Sequence, residues 1–194
     1  SARGIRQARS AAVAVSAASP KPDLIFCSCL VRAMQTAVIM FEEGQVMVAP
    51  FIIERGKSCE PRLMWNTRCF HPGSIPIGWH EQRAAISAQL SPVVAARLNW
   101  DCVGDPDLSS PVLVEPSWSG FCKWLWEQPL VEQVLAKKRH AALIAVVSHG
   151  NLLEYEALPR GMGHPKNAQV YSACLWRVSP EVRDVKVIHP GGTR

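Results

Sequence analysis

Residues 142–147, ALIAVV, constrain this chain more than any other segment. An apolar run without polar alternation suits a strand covered on both faces, as in a parallel sheet held between helices, and does not suit a ribbon with one wet face. Leu24-Ile25-Phe26-Cys27, following Asp23, is a second run of the same kind, and residues 46–53 are a third, interrupted by Pro50. Helical spacing separates them. Residues 4–18 are alanine-rich with Ile5, Ala8, Ala12 and Val15 on one face, which predicts a slender helix ended by Pro20 and Pro22. Residues 31–43 return to a helical period with Met34, Val38 and Phe41 inward.

Periodicity fades over residues 55–111, where Pro61, Pro72, Gly73, Pro76, Gly78, Pro92, Pro106 and Pro111 leave room for one helical piece near residues 80–98. The expectation is a lid or insertion outside the core, within a single domain spanning residues 1–194. Order returns at Ser117, a suitable N-cap, with a helix through Phe121 and Leu125 that Pro129 kinks or splits before Val134 and Leu135. Residues 151–158 read as helix, and residues 170–178 and 185–188 as two final strands. Helices alternating with short apolar strands predict an α/β chain, a three-layer sandwich around a mainly parallel central sheet.

The 194 residues are 48% hydrophobic, enough for a real core, yet no apolar run approaches the length of a membrane span, which takes about 20 residues. Lysine and arginine number 21 against 16 aspartate and glutamate, a formal charge of +5. That excess mildly favours anionic partners, but it is scattered. Its densest run is Lys137-Lys138-Arg139-His140 at an expected helix end, so a nucleic-acid partner is not expected. The seven cysteines show no C-x-x-C pair, which argues against a zinc cluster and for a reducing, cytoplasmic setting in which Cys27 and Cys174 act as small hydrophobes inside strands. His80-Glu81 lacks a second histidine, since position 84 is Ala84. Neither a metal nor a cofactor is expected. Residues 1–18, opening on Ser1, lack the basic-then-apolar plan of a secretory signal, and the chain reads as a cut or processed piece.

In open parallel sheets, ligands bind beyond the carboxyl ends of the strands, so the polar residues there are the ones to inspect. Ser28, Cys29 and Arg32 follow Leu24-Ile25-Phe26-Cys27, Glu54 follows residues 46–53, and Ser148, His149 and Gly150 follow residues 142–147. Arginine offers a planar fork for a phosphate. Histidine between a buried strand and a glycine that opens a helix can hold an anion. Each also has a plain reading: Arg32 as an exposed helix residue, Glu54 as a turn cap or a salt bridge, His149 as a packed ring.

The stretch from Leu24 through Ser28 to Leu30-Val31-Arg32-Ala33-Met34-Gln35-Thr36-Ala37 resembles the S-x-L-x-R-A-x-Q-T-A signature of the histidine phosphatase superfamily, the phosphoglycerate mutase-like proteins. Ala145-Val146-Val147-Ser148-His149-Gly150 is similar to the second histidine motif of that family, and Gly4-Ile5-Arg6-Gln7-Ala8 to its G-x-x-Q-A helix. The resemblance implies a phosphomonoester hydrolase working through a phosphohistidine. It makes Arg32 a phosphate clamp, His149 the group stabilising charge on the transferring phosphoryl oxygens, and Glu54 the general acid. Gly150 and Asn167 would complete the substrate pocket, around a phosphorylated small molecule or phosphoprotein.

The family's nucleophile lies in an Arg-His-Gly motif on a first strand upstream of the G-x-x-Q-A helix, and no such motif occurs here. The resemblance therefore implies that the first strand is missing, that this piece is itself inactive, and that exposed sheet edges make it prone to aggregate. A relative that keeps only the anion pocket is the alternative. Glu54 is followed by Arg55-Gly56-Lys57-Ser58-Cys59-Glu60 rather than the mutase R-x-Y-G segment, which favours a phosphatase over a mutase-type phosphotransferase. Leu63, Met64, Trp65, Phe70 and Trp79, with Arg62, Arg68 and His71 among them, either set substrate choice or pack the insertion.

Overall fold

The structure is a computed structural model, and it describes residues 1–28, 31–49, 88, 90–100, 117–139, 141–177 and 179–192. Its centre is a four-stranded sheet of β1 (Leu24–Ser28), β2 (Val46–Ala49), β3 (Leu98–Asn99) and β4 (Ile144–Val147), in the order β3-β2-β1-β4. All three pairings are parallel. Asp23 sets the register of β1 against β4: its N–H donates to the Leu143 carbonyl at 2.8 Å and its carboxylate accepts from the Leu143 N–H at 3.0 Å. That backbone bond, with Lys138 beside it, holds the Asp23 carboxyl below its usual range.

The strands are apolar throughout because both faces are covered. Ile25 and Cys27 of β1 and Val46 and Val48 of β2 face one core. This core is closed by Met34, Ala37 and Val38 of α2 (Val31–Met40) and by Leu90, Leu98 and Trp100, with Val94 and Ala95 of α3 (Pro92–Ala96) against it. Leu24, Phe26, Met47 and Ala49 face the other core, under α4 (Trp118–Trp126) and α5 (Pro129–Lys137). There the Phe26 ring meets Phe121 edge-on at 6.1 Å and Trp124 at 5.7 Å, geometries that suit aromatic quadrupoles. The result is an α/β fold with helices on both faces of a parallel sheet. The Cys27 thiol is completely buried, which pushes its pKa up, and burial likewise raises Cys122 to about 12.

The edge positions are wetter. β1 and β2 are buried along their whole length, whereas every residue of β4 is half-buried. The α1 helix (Ala2–Ala18) packs on α2 and on the C-terminal strand, burying only Ala8 and Ala11. Ile5 is 41% exposed, so the inward face is turned slightly from the expected Ile5, Ala8, Ala12, Val15 stripe. Small residues face inward because the two helices lie close together. The last strands, β5 (Val170–Trp176) and β6 (Ser179–His189), pair antiparallel as a separate two-stranded sheet. β6 is longer than the expected residues 185–188 because Glu181, Arg183, Asp184 and Lys186 stand on solvent-exposed positions that conceal a strand in the sequence. A register shift opposite Ser172 and Cys174 coincides with Asp184 at φ 54°, the mark of a bulge. Cys174 is exposed, contrary to its expected burial, because β5 covers no core at that position.

Ser117 caps α4 as expected, its hydroxyl accepting from the Gly120 N–H at 2.9 Å, and of the two outcomes expected at Pro129 the structure shows the split, with Pro129 opening α5. Within residues 55–111, expected to lie outside the core, β3 joins the central sheet and Leu90, Leu98 and Trp100 are buried in it. A strand of two residues has no period to read. Leu98, expected at the end of a helix, is therefore strand, while α3 lies within the expected helical piece; residues 55–87, 89 and 101–111 and the end of the run at residues 50–53 lie outside the described residues. Residues 151–158 are helical, but as a short turn α6 (Gly150–Leu152) running into a π-helical turn at Leu153–Ala157. No helix among the described residues is long and apolar enough to cross a membrane.

Candidate functional site

Parallel pairing brings the ends of β1 and β4 together, with Cys27 beside Val147. The residues that follow each strand consequently emerge at one edge of the sheet. Ser28 closes β1 and Arg32 lies in the first turn of α2; His149 follows β4 and precedes α6. Arg32 and His149, 117 residues apart in sequence, face each other with Arg32 Nη2 3.5 Å from His149 Nδ1. The other ring nitrogen, Nε2, is 2.8 Å from the Ser28 hydroxyl, the one buried polar side chain among the described residues.

These two contacts select a tautomer. A guanidinium only donates, so His149 Nδ1 carries the lone pair and Nε2 carries the hydrogen, donated to Ser28 Oγ. Burial first, and the Arg32 charge second, hold His149 down to about pKa 3. The ring is therefore neutral at pH 7. Arg32 itself is exposed, and its carbonyl accepts from Thr36 Oγ1 at 2.7 Å. The arrangement can receive an anion: a fixed positive charge, a buried hydroxyl, and an imidazole whose protonation is opposed mainly by burial and by that same charge.

Beside it, Gly150 has its Cα against the ring of His164: a methyl group there would stand 2.9 Å from both Cε1 and Nε2 of His164. The His164 ring is held from the other side by Glu154, whose Oε2 is 2.5 Å from Nδ1. Neither His164 nor Glu154 stands out in the sequence, because neither follows a strand and the loop joining them carries no periodic signal. Ser28 is legible only as the polar end of a strand, not as a partner of His149.

Of the residues expected at the site, Arg32, His149 and Gly150 are brought together. Asn167 lies in the approach to β5, where its carbonyl accepts from the Gly192 N–H at 2.9 Å in an isolated antiparallel bridge. Glu54 and the aromatic and basic residues from Arg62 to Trp79 lie outside the described residues. Among the described residues no three histidine, cysteine or acidic side chains group as metal ligands. No family model matches this chain, and no curated protein or solved structure matches it either.

Proposed function

We propose that this chain is a phosphoglycerate mutase-like domain of the histidine phosphatase type. In this reading the protein hydrolyses phosphomonoesters of small molecules or proteins through a phosphohistidine. The observation that carries this reading is the pairing of Arg32 with His149 at the common carboxyl end of β1 and β4. Arg32 clamps two phosphoryl oxygens with its planar fork. The incoming negative charge must outweigh the burial that chiefly keeps His149 neutral as well as offset the Arg32 charge; His149 then takes up a proton and donates from Nδ1 to an oxygen of the transferring group. Glu54 is the general acid toward the leaving oxygen in this reading, and Gly150 and Asn167 line the pocket.

A second reading, a binding relative that seats phosphate without turnover, draws on the same geometry. The lone pair of His149 points at Arg32 and its N–H is engaged by Ser28, so His149 as it stands is no nucleophile. The covalent route needs a further histidine in attacking position.

Titration with inorganic phosphate, then turnover of an aryl phosphate, tests both. Arg32→Ala should weaken phosphate binding by about tenfold or more, as loss of a charge-assisted contact does, and Arg32→Lys should restore little of it. Unchanged affinity in Arg32→Ala would refute the assignment. Tight phosphate binding with no hydrolysis, in the longest natural form of the protein, would decide for the binding relative.

A further inference from the structure

The imidazole of His149 runs from the inside of the molecule toward its surface. At one end Nε2 meets the Ser28 hydroxyl at 2.8 Å, on a side chain with no exposure at all. At the other end Nδ1 faces the exposed guanidinium of Arg32 at 3.5 Å, long for a hydrogen bond. The ring itself is half-buried, so Nδ1 is the end that a ligand beside Arg32 reaches. An exposed arginine gives up so long a contact when an anion takes its fork.

The placing of hydrogens makes this end selective. Ser28 engages the N–H on Nε2, and burial, ahead of the Arg32 charge, keeps a second proton off the ring. Nδ1 therefore presents a lone pair next to a fixed positive charge, an acceptor beside a donor. A fully ionised tetrahedral anion carries only lone pairs, and one of its oxygens would be driven against that of Nδ1. An anion that keeps an O–H has a hydrogen to give there and oxygens left over for Arg32. A site that holds a ligand hydrogen in this way rejects the analogue lacking it, because a polar group taken out of water stays unpaired.

We infer that the site selects tetrahedral anions in a hydrogen-bearing form, hydrogen phosphate or the monoanion of a phosphomonoester, whose P–OH donates to the Nδ1 lone pair of His149 while Arg32 takes the other oxygens. This rests on the phosphate reading and names the ionic form that the site takes. Ser28 is a positioning residue, acting on the ligand only through the ring. The proton that His149 needs at Nδ1 then arrives with the ligand: one hydrogen lies between nitrogen and oxygen, and no other side chain has to deliver it.

The test is calorimetric titration of the protein with inorganic phosphate and with sulfate, at pH 7 and equal ionic strength, with circular dichroism to show that each variant is folded. The two ions share a shape, but at this pH phosphate always bears a hydrogen and sulfate bears none. Phosphate should bind more tightly than sulfate by about tenfold or more, the usual effect of a hydrogen bond to a charged group. His149→Gln, whose amide offers an N–H as well as an oxygen, should bring the ratio of the two affinities close to one. Ser28→Ala, which removes the anchor of the ring, should narrow the ratio by itself but change nothing further in the His149→Gln background. A smaller preference in the wild-type protein, or one that survives His149→Gln, would overturn the selection; with phosphate binding lost in Arg32→Ala, the phosphate reading would still stand. A ratio untouched by Ser28→Ala, or narrowed equally with and without His149, would overturn the part played by Ser28. No phosphate binding by the wild-type protein, or none lost in Arg32→Ala, would overturn the phosphate reading and this inference together.

Discussion

His149 enters the folded state without its proton, and that has a cost in acid. Its ordinary value is 6.5 and the native value about 3. Above pH 6.5 both states leave the ring neutral and nothing is lost. As pH falls between those values the unfolded chain takes up a proton that the native chain refuses, so stability declines by at most about 1.4 kcal/mol per pH unit. The lowered carboxyl of Asp23 contributes the same sign of change only below about pH 4, the range of an unperturbed aspartate. Denaturant titrations from pH 6.5 to 4.5 should show that slope, and His149→Gln should flatten it. A slope unchanged in the variant would mean that His149 is not the group responsible. Arg32 and His149 could be read from the sequence because each follows an apolar run, and a parallel sheet turns that into proximity. Glu154 and His164 could not, since they meet across a loop that carries no periodic signal and in which Gly161 and Gly163 stand at φ 91° and 75°.

At the scale of elements, the helix α2 illustrates what decides a boundary. Its apolar spacing continues to Phe41, and residues 31–43 read as one helix, but the structure ends it at Met40. The reason lies 56 residues downstream of Phe41. Arg97, at the end of α3, sends its guanidinium to the carbonyls of Val38 at 3.0 Å, Phe41, and Gly44 at 2.9 Å. A helix leaves its last carbonyls without internal partners, and here one side chain satisfies those of the final turn and the loop that leads to β2. Arg97→Ala should cost about 2 kcal/mol, as expected for partly buried carbonyls losing a charged donor, and lysine should recover less than half of it. Chemical denaturation measures this, and a loss below about 0.5 kcal/mol would show that water replaces the guanidinium. Such long-range caps leave no local trace in the sequence. By contrast, Ser117 and Pro129 mark the starts of α4 and α5 through properties of their own, a hydroxyl for an orphan N–H and a missing N–H of its own, and both were legible.

At the scale of the molecule, one sheet separates two cores and β1 belongs to both. The α/β class was legible because covered strands must be apolar on both sides. The two final strands were legible as well, but not the first half of β6, whose charged outer positions break the pattern of a strand, nor their separation from the central sheet. The buried thiols give this layering a further meaning. Cys27 lies in the core under α2 and Cys122 in the core under α4, while Cys174 is exposed. An alkylating reagent must reach the sulfur, so the exposed Cys174 should react at once. The other two should wait for the structure to open. Because Phe26 of β1 interlocks with Phe121 and Trp124 of α4, the two layers should open as one unit, and mass spectrometry should find Cys27 and Cys122 modified at the same rate. If Cys122 runs ahead, the α4–α5 layer peels away first. The two cysteines are a pair of clocks, one set into each side of the sheet, and the interval between them measures how far the domain unfolds as a whole.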